Sequence, residues 1–339
     1  MKLVIDDKIP YIRGAAEQLG DTRYLPGAAI GPADVADADA LIVRTRTRCD
    51  RRLLEGSRVR FIATATIGYD HLDTAWLEAA GIGWANCPGC NAGSVAQYVE
   101  SSLILLRRAG LLPARGGVLG VVGVGHVGSK VAAVGRRMGF EVLPCDPPRQ
   151  EREGGRFWSL EELAERADAI TFHTPLTCDG PHATFHLADA SFFSRLARRP
   201  VVMNSGRGEA VDTAALLAAL REGRVRAAVV DTWENEPDID RELLRRAFIA
   251  TPHVAGYSAD GKATGTRMAL EAVARHFGLP AAFDIRPPRL PEGLVPASDP
   301  EDRKLQLYNP LDDTRRLKAA PECFEQLRGN YPLRRERWD

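Results

Sequence analysis

Residues 118–129 read Val-Leu-Gly-Val-Val-Gly-Val-Gly-His-Val-Gly-Ser, and this stretch decides the fold of the chain. A short apolar run leads into Gly123-x-Gly125-x-x-Gly128, and a helical pattern of apolar residues follows it. The sequence therefore predicts a strand, a tight glycine turn and the start of a helix. In such a turn the first glycine permits the bend and the second lets the backbone approach a pyrophosphate. The third allows helix and strand to pack closely.

The glycine turn predicts a dinucleotide site, because the N–H groups of the helix start, at His126 and Val127, and the helix dipole favour an anion. Asp146 ends the next predicted strand, about twenty residues beyond the middle glycine, where such sites place an acid. A carboxylate there accepts hydrogen bonds from ribose hydroxyls and repels a 2′-phosphate. We therefore predict NAD rather than NADP, with a purely structural strand–helix turn as the alternative.

The composition is that of an ordinary globular protein: 339 residues, 45% hydrophobic and 27% charged. Lysine plus arginine and aspartate plus glutamate each number 45, so bulk charge favours neither nucleic acid nor an anionic membrane as partner. No apolar run reaches the roughly 18 residues of a membrane span, and the start lacks a signal-peptide core. We expect a cytoplasmic protein that binds neither nucleic acid nor membranes.

The six cysteines are scattered along the chain, which disfavours a disulfide framework. Cys87 and Cys90 form the one close pair, and no second pair completes a zinc site. We predict no metal site and a structural role for this pair, with a reactive Cys90 left as an alternative.

Short apolar runs alternate with helical patterns over the first ninety residues, which predicts parallel strand–helix units. A helix is predicted over residues 11–19, and a long one over 92–109 links two domains. Six further strands follow from residue 118. The predicted fold is α/β, with two doubly wound Rossmann-like domains, each on a parallel sheet, and a small C-terminal α+β module. The predicted domains are 1–92 with 257–280 for substrate, 93–256 for NAD, and 281–339 for the module.

Three loops that follow strands of the second block carry reactive side chains. Arg207 lies between two glycines, and its planar guanidinium suits a carboxylate. Glu236 and His253 follow later strands. Oxidation of an alcohol needs a base for the hydroxyl proton, and a carboxylate beside a histidine orients the ring and stabilises its charged form. We predict a Glu236–His253 pair, against the alternatives of a solvated acidic loop and a structural histidine.

The order of glycine turn, Asp146, Arg207, Glu236 and His253 resembles the D-isomer-specific 2-hydroxyacid dehydrogenases over roughly residues 1–280. The resemblance implies that Arg207 binds the substrate carboxylate, that Glu236 supports the histidine, and that His253 is the acid and base of catalysis. It also implies NAD as cofactor.

Residues 145–149, 172–176 and 330–335 resemble one branch of that family. This branch oxidises 4-phospho-D-erythronate to 2-oxo-3-hydroxy-4-phosphobutanoate, a step toward pyridoxal phosphate. The resemblance implies a phosphorylated four-carbon 2-hydroxy acid as substrate, and a homodimer formed through residues 281–339. Two alternatives stay open: another dehydrogenase, acting on phosphoglycerate or glycerate, and a corepressor-like protein that senses NAD.

The remaining site residues follow from these assignments. By resemblance Thr45, Thr66 and Tyr257 contact the substrate. Arg44 ends a predicted strand and is expected to bind phosphate, with a solvated surface position as the alternative. The residues expected to line the rest of the cofactor site are Thr174, Ser205, Gly206, Asp231 and Gly256. For Asp231, capping of the following turn is the alternative.

Overall fold

The computed structural model of the protein describes residues 1–279 and 282–338. The chain divides into two compact units, each made of two stretches. Residues 1–91 and 258–291 form the first unit, and residues 92–257 and 292–338 form the second. The predicted start of the C-terminal module, residue 281, lies outside the described residues.

A parallel sheet of five strands forms the centre of the first unit within the described residues. In chain order its strands are β1 (Lys2–Asp6), β2 (Asp21–Leu25), β3 (Ala40–Val43), β4 (Phe61–Thr64) and β5 (Gly83–Ala85). Their order across the sheet is β2-β1-β3-β4-β5. The central strands β3 and β4 are entirely buried, as expected for parallel strands that are covered on both faces.

A parallel sheet of six strands forms the centre of the second unit within the described residues. Its strands are β6 (Val118–Val122), β7 (Glu141–Cys145), β8 (Ala169–Phe172), β9 (Val201–Asn204), β10 (Ala227–Val230) and β11 (Ile249–Ala250). They lie in the order β11-β10-β9-β8-β6-β7, so the strand order reverses between β6 and β8. Doubly wound sheets bind their ligands at such a switch point, beyond the carboxyl ends of the strands.

The register of the second sheet brings the last residues of its strands into one row. Each of these residues pairs with the last residue of the neighbouring strand, so six loops leave the sheet at the same level. The row consists of Cys145, Val122, Phe172, Asn204, Val230 and Ala250.

Helices connect the strands. In chain order the α-helices are α1 (Pro32–Val35), α2 (Arg51–Leu54), α3 (Thr74–Ala79), α4 (Ala92–Arg108), α5 (His126–Arg137), α6 (Pro147–Glu153), α7 (Leu160–Arg166), α8 (Ala190–Ser194), α9 (Thr213–Arg221), α10 (Arg241–Arg246), α11 (Ala259–His276), α12 (Pro300–Leu307), α13 (Pro310–Ala319) and α14 (Phe324–Gly329). Aspartates start many of them, since each accepts a hydrogen bond from an N–H of the first turn that has no partner within the helix. Examples are Asp50, Asp73, Asp189, Asp212 and Asp240. No helix among the described residues combines the length and the apolar character that crossing a bilayer requires.

The C-terminal residues 292–338 pack into the second unit. Leu317 and Phe324 are almost completely buried in the hydrophobic core on one face of the sheet. The hydroxyl of Thr314 in α13 accepts a hydrogen bond of 3.0 Å from the backbone N–H of Ala250 in β11. This segment, which we call the C-terminal arm (residues 292–338), therefore covers the edge strand from whose end the His253 loop emerges.

Two local predictions were wrong, and one strand was not predicted. Residues 11–19 form turns and the short 3-10 helix Ala16–Gln18 instead of an α-helix. Strand β2 was not predicted, because it is a largely polar edge strand with no fully buried residue. The described part of the arm contains helices and no strand, so the α+β mixture predicted for the module does not appear there.

We expect Gly128→Ala to destabilise the second unit, because a Cβ at position 128 would overlap the carbonyl oxygen of Gly123. The expected loss in the free energy of unfolding is roughly 2–4 kcal/mol. Gly125→Ala is the matched control, since a Cβ there meets no atom within 4 Å. Chemical denaturation of the protein without ligands measures both, and equal stability of the two variants would contradict the packing argument.

Candidate active site

The glycine turn of the second unit has an open helix start. Helix α5 begins at His126, its N-cap is Gly125, and no side chain caps its first turn. Gly125 and His126 are exposed, and the side on which a Cβ of Gly125 would lie is empty of protein atoms. First-turn N–H groups, including that of Val127, lack helical acceptors, so the turn fits an anionic pyrophosphate.

Asp146 lies at the end of β7 and is bound to this turn. Its carboxylate accepts hydrogen bonds from the backbone N–H of Val124, at 2.7 Å, and of Arg149, at 2.9 Å. The Arg149 guanidinium donates a hydrogen bond of 2.6 Å to the carbonyl oxygen of Val124. The acid that we predicted for the ribose is thus fixed beside the turn, and it also caps helix α6.

The loop after β8 lies across the switch point from the glycine turn. A Cβ on Gly123 would come within 3.0 Å of the His173 backbone and of the Thr174 side chain. The Thr174 hydroxyl is buried and has no hydrogen-bond partner among the described residues. A buried hydroxyl without a partner at this position fits a polar group of a bound nucleotide.

His173 connects this loop to the loop after β9. Its Nε2 lies 3.0 Å from the Thr171 hydroxyl, and its Nδ1 lies 3.2 Å from the hydroxyl of Ser205. Burial lowers the pKa of His173 to about 3, so the ring is neutral at physiological pH. Sequence reasoning did not assign His173 a role in the site, because nothing in the sequence shows that its ring is enclosed.

The structure brings Glu236 and His253 together. The Nδ1 atom of His253 lies 2.9 Å from Oε2 and 3.1 Å from Oε1 of the Glu236 carboxylate. The backbone N–H of Trp233 also donates to this carboxylate, at 3.0 Å. Burial by itself would raise the pKa of Glu236. The hydrogen bond and charge of His253 outweigh that effect and hold the pKa below its ordinary value. Glu236 is therefore an anion that faces one nitrogen of the imidazole.

Glu234, two residues earlier, takes a different role. Its carboxylate accepts a hydrogen bond of 2.7 Å from the N–H of Thr213 and lies 2.7 Å from Nε2 of His186. Asp212 lies on the other side of the same imidazole. The acidic loop thus separates into a structural carboxylate at the start of α9 and a carboxylate that contacts His253.

Asp231 is buried beneath the His253 loop. Its carboxylate accepts hydrogen bonds from the N–H groups of Val254, at 2.8 Å, and Ala255, at 3.0 Å, and from the Thr251 hydroxyl at 2.6 Å. The carbonyl oxygen of Asp231 accepts from the N–H of His253 at 2.9 Å. These contacts hold the loop in which His253 adopts a φ of +57°, a left-handed conformation that side chains rarely take. Gly256 follows directly in this loop.

Arg207 leaves the neighbouring strand β9 at the same edge of the sheet. Its guanidinium Nη1 donates to the carbonyl oxygen of Gly206 at 3.0 Å rather than to Glu236 or His253. A Cβ on Gly208 would overlap the carbonyl oxygen of Trp233, so this loop packs directly against the loop that carries Glu236.

The substrate residues predicted in the first unit lie at strand ends there. Arg44 forms a two-bond ion pair, at 3.0 and 3.2 Å, with the fully buried Asp6. Thr45 is exposed. The Thr66 hydroxyl donates to the carbonyl oxygen of Gly68 at 2.8 Å. The guanidinium of Arg44 is thus held in place by a buried acid.

The C-terminal arm supplies residues that sequence reasoning missed. Nη1 of Arg328 lies 3.4 Å from Oε2 of Glu236. Arg334 is 8% exposed and donates to backbone carbonyl oxygens of the His253 loop. Both arginines lie in a strongly charged tail. No local sequence pattern there distinguishes a buried arginine from a solvated one.

The chain is similar in sequence and in fold to known proteins. Residues 106–255 match the family model of the D-isomer specific 2-hydroxyacid dehydrogenase NAD binding domain. Erythronate-4-phosphate dehydrogenase of Bacteroides thetaiotaomicron is 54% identical over 338 residues, 99% of this chain and 97% of that protein. The Escherichia coli protein of that name is 41% identical, with 99% and 92% covered. D-lactate dehydrogenase from Aquifex aeolicus, solved with NAD and lactic acid, shares the fold: TM-score 0.64, 22% identity, 82% and 96% covered.

The chain belongs to the D-isomer specific 2-hydroxyacid dehydrogenase family. It is an NAD-dependent oxidoreductase, and the two relatives named above, which it matches over nearly its whole length, are erythronate-4-phosphate dehydrogenases. The predictions of family, of doubly wound Rossmann-like units on parallel sheets and of NAD as cofactor are confirmed.

We expect the stability of the protein to fall between pH 6.5 and pH 5 through His173. The unfolded histidine binds a proton below about pH 6.5 while the folded one stays neutral to about pH 3. The unfolded chain therefore binds more protons in this window, and stability decreases as the pH falls, by up to about 2 kcal/mol at pH 5. In His173→Asn this part of the pH dependence disappears. Urea unfolding at pH 5 and pH 7 gives the change in the free energy of unfolding between the two pH values. An identical change in variant and parent would contradict the role assigned to His173.

Proposed function

We propose that this chain oxidises 4-phospho-D-erythronate to 2-oxo-3-hydroxy-4-phosphobutanoate with NAD, a step toward pyridoxal 5′-phosphate. The observation that carries the proposal is the contact of His253 with Glu236 at the carboxyl edge of the second sheet. The substrate is supported by the names of the relatives, which share 41% and 54% identity over nearly the whole chain.

In this proposal His253 is the acid and base. Because Nδ1–H is donated to Glu236, the lone pair of the neutral ring lies on Nε2, which accepts the proton of the substrate hydroxyl. The adjacent carboxylate then stabilises the imidazolium that forms. Arg207 binds the substrate carboxylate through its planar guanidinium. NAD, when bound, supplies the acceptor for the hydride.

The proposed cofactor contacts are those at the row of strand ends. The open start of α5, Asp146 and the unpartnered Thr174 hydroxyl support this assignment. The full proposed set is Gly123, Gly125, His126, Val127, Gly128, Asp146, Thr174, Ser205, Gly206, Asp231 and Gly256.

Arg44, Thr45, Thr66 and Tyr257 are the proposed substrate contacts in addition to Arg207. The ion pair with Asp6 supports Arg44, because a guanidinium held by a buried acid is ordered before an anion arrives.

We further propose a homodimer and a cytoplasmic location. The large apolar residues Leu294 and Val295 of the arm are 42% and 75% exposed, which supports a contact with a second copy. All six cysteines are free thiols, as is usual in a reducing compartment.

We expect His253→Gln to lower kcat with 4-phospho-D-erythronate by about 10²–10⁴-fold, because the variant lacks the base. NADH binding, followed by fluorescence titration, should change less than threefold. His276→Gln is the control, since that exposed imidazole lies at the end of α11. Folded parent protein that does not reduce NAD with this acid, but does so with glycerate or phosphoglycerate, would overturn the proposed substrate.

We expect Asp146→Asn to lower the preference for NAD over NADP at least tenfold. The variant keeps one side-chain oxygen, which can cap α6, and replaces the acceptor of the Val124 N–H by an amide NH2. It removes the charge that repels a 2′-phosphate, while the guanidinium of Arg149 stays nearby. The measurement is the ratio of kcat/KM for the two cofactors. Asp189→Asn, at the start of α8, is the matched cap control. Equal use of both cofactors by the parent protein would contradict the role given to Asp146.

A further inference from the structure

The His253 loop is bound from two sides by buried charged groups. On one side the Asp231 carboxylate accepts from the N–H groups of Val254 and Ala255. On the other side the Arg334 guanidinium donates to the carbonyl oxygens of Val254, at 3.0 Å, and Ala255, at 2.6 Å. The same two residues, Val254 and Ala255, therefore contact an anion through their N–H groups and a cation through their carbonyl oxygens.

Arg334 makes further contacts besides those with Val254 and Ala255. Its Nη1 also donates to the carbonyl oxygen of Tyr257 at 2.9 Å, and its Nε donates to Oε1 of Gln97 at 2.9 Å. Nη2 reaches the carbonyl oxygen of Ser94 at 3.3 Å. The guanidinium plane stacks on Tyr308, 3.8 Å from the ring centroid. Arg334 thus ties the His253 loop to helix α4 and to the C-terminal arm.

The loop needs such support because of its backbone. His253 has a φ of +57°, a left-handed conformation that is unfavourable for a residue with a side chain, so contacts with its surroundings must offset its cost. In this conformation the imidazole faces Glu236. Without the guanidinium, the carbonyl oxygen of buried Ala255 would lose this donor, and that of Val254 would keep the backbone N–H of Tyr257. The loop would then gain other conformations.

We propose that Arg334 is a positioning residue of the oxidoreductase reaction: it holds the carbonyl oxygens of residues 254, 255 and 257 so that His253 keeps its orientation toward Glu236. The residue touches neither substrate nor cofactor in this proposal and acts through the loop. The inference rests on the proposed function in so far as it assigns the reacting base to His253.

The test uses the full-length protein and three variants. Arg334→Met keeps a long side chain and removes the donors, Arg334→Lys keeps the charge without the planar fork, and Gln97→Leu removes one partner of Nε. Arg315→Met is the control, because Arg315 is an exposed arginine of the same arm that pairs with Asp312 on its own helix.

We expect Arg334→Met to lower kcat at least thirtyfold, with the KM for NAD and the affinity for NADH changed less than threefold. Amide hydrogen exchange of residues 253–257 in the protein without ligands should accelerate at least tenfold, while strands β6 and β8 exchange as in the parent. Arg334→Lys should recover part of kcat and of the protection. Gln97→Leu should move both readouts in the direction of Arg334→Met by a smaller factor, and Arg315→Met should move neither.

Two results would overturn the proposal: an Arg334→Met variant with kcat within threefold of the parent, or accelerated exchange that extends equally over the whole second unit. If Arg334→Met does not fold, the proposal is tested with Arg334→Lys and Gln97→Leu. Unchanged hydrogen exchange of the loop in both variants would then overturn the proposal. Parent protein inactive on 4-phospho-D-erythronate would refute the proposed substrate, while the exchange measurement would still decide whether Arg334 holds the loop.

Discussion

The parallel pairing of β9, β10 and β11 is the constraint on which the site depends. Their register places Asn204, Val230 and Ala250 side by side, so the loops that carry Arg207, Glu236 and His253 leave the sheet at one level. Hydrogen bonding of parallel strands fixes this row independently of the loop sequences. Residues far apart along the chain therefore need only short loops to meet, and Nδ1 of His253 reaches the Glu236 carboxylate at 2.9 Å.

A second constraint acts on the loop itself. The left-handed backbone at His253 has a conformational cost, and buried partners on both sides of the loop offset it. The Asp231 carboxylate accepts hydrogen bonds from the N–H groups of the loop, and the Arg334 guanidinium donates to its carbonyl oxygens. The polar backbone groups of this buried turn therefore have hydrogen-bond partners. The C-terminal arm thereby becomes part of the second unit, through its apolar core residues and through this guanidinium. Its role in that unit is structural.

Prediction from sequence succeeded where a local pattern has one physical explanation. The glycine turn at residues 123–128 predicted strand, turn and helix, because only glycine fits beneath the carbonyl oxygen of Gly123. Buried strands of the second sheet were predicted from their apolar runs. The failures lie where burial is partial: β2 is a polar edge strand, and residues 11–19 have apolar side chains at helical spacing but form turns. An apolar pattern shows which residues avoid water, and it leaves open what covers them.

By itself the sequence determined the fold class, NAD as the cofactor and the chemical types available at the strand ends, since these follow from spacing and side-chain chemistry. Only the tertiary structure decided which of two acids faces the histidine: Glu234 contacts His186 and the start of α9, and Glu236 contacts His253. It alone revealed that Arg334, in a charged tail, is buried against the loop of residues 254–257. The physical reason is that a charged side chain is buried only where distant parts of the chain supply its partners, and sequence spacing carries no record of those contacts.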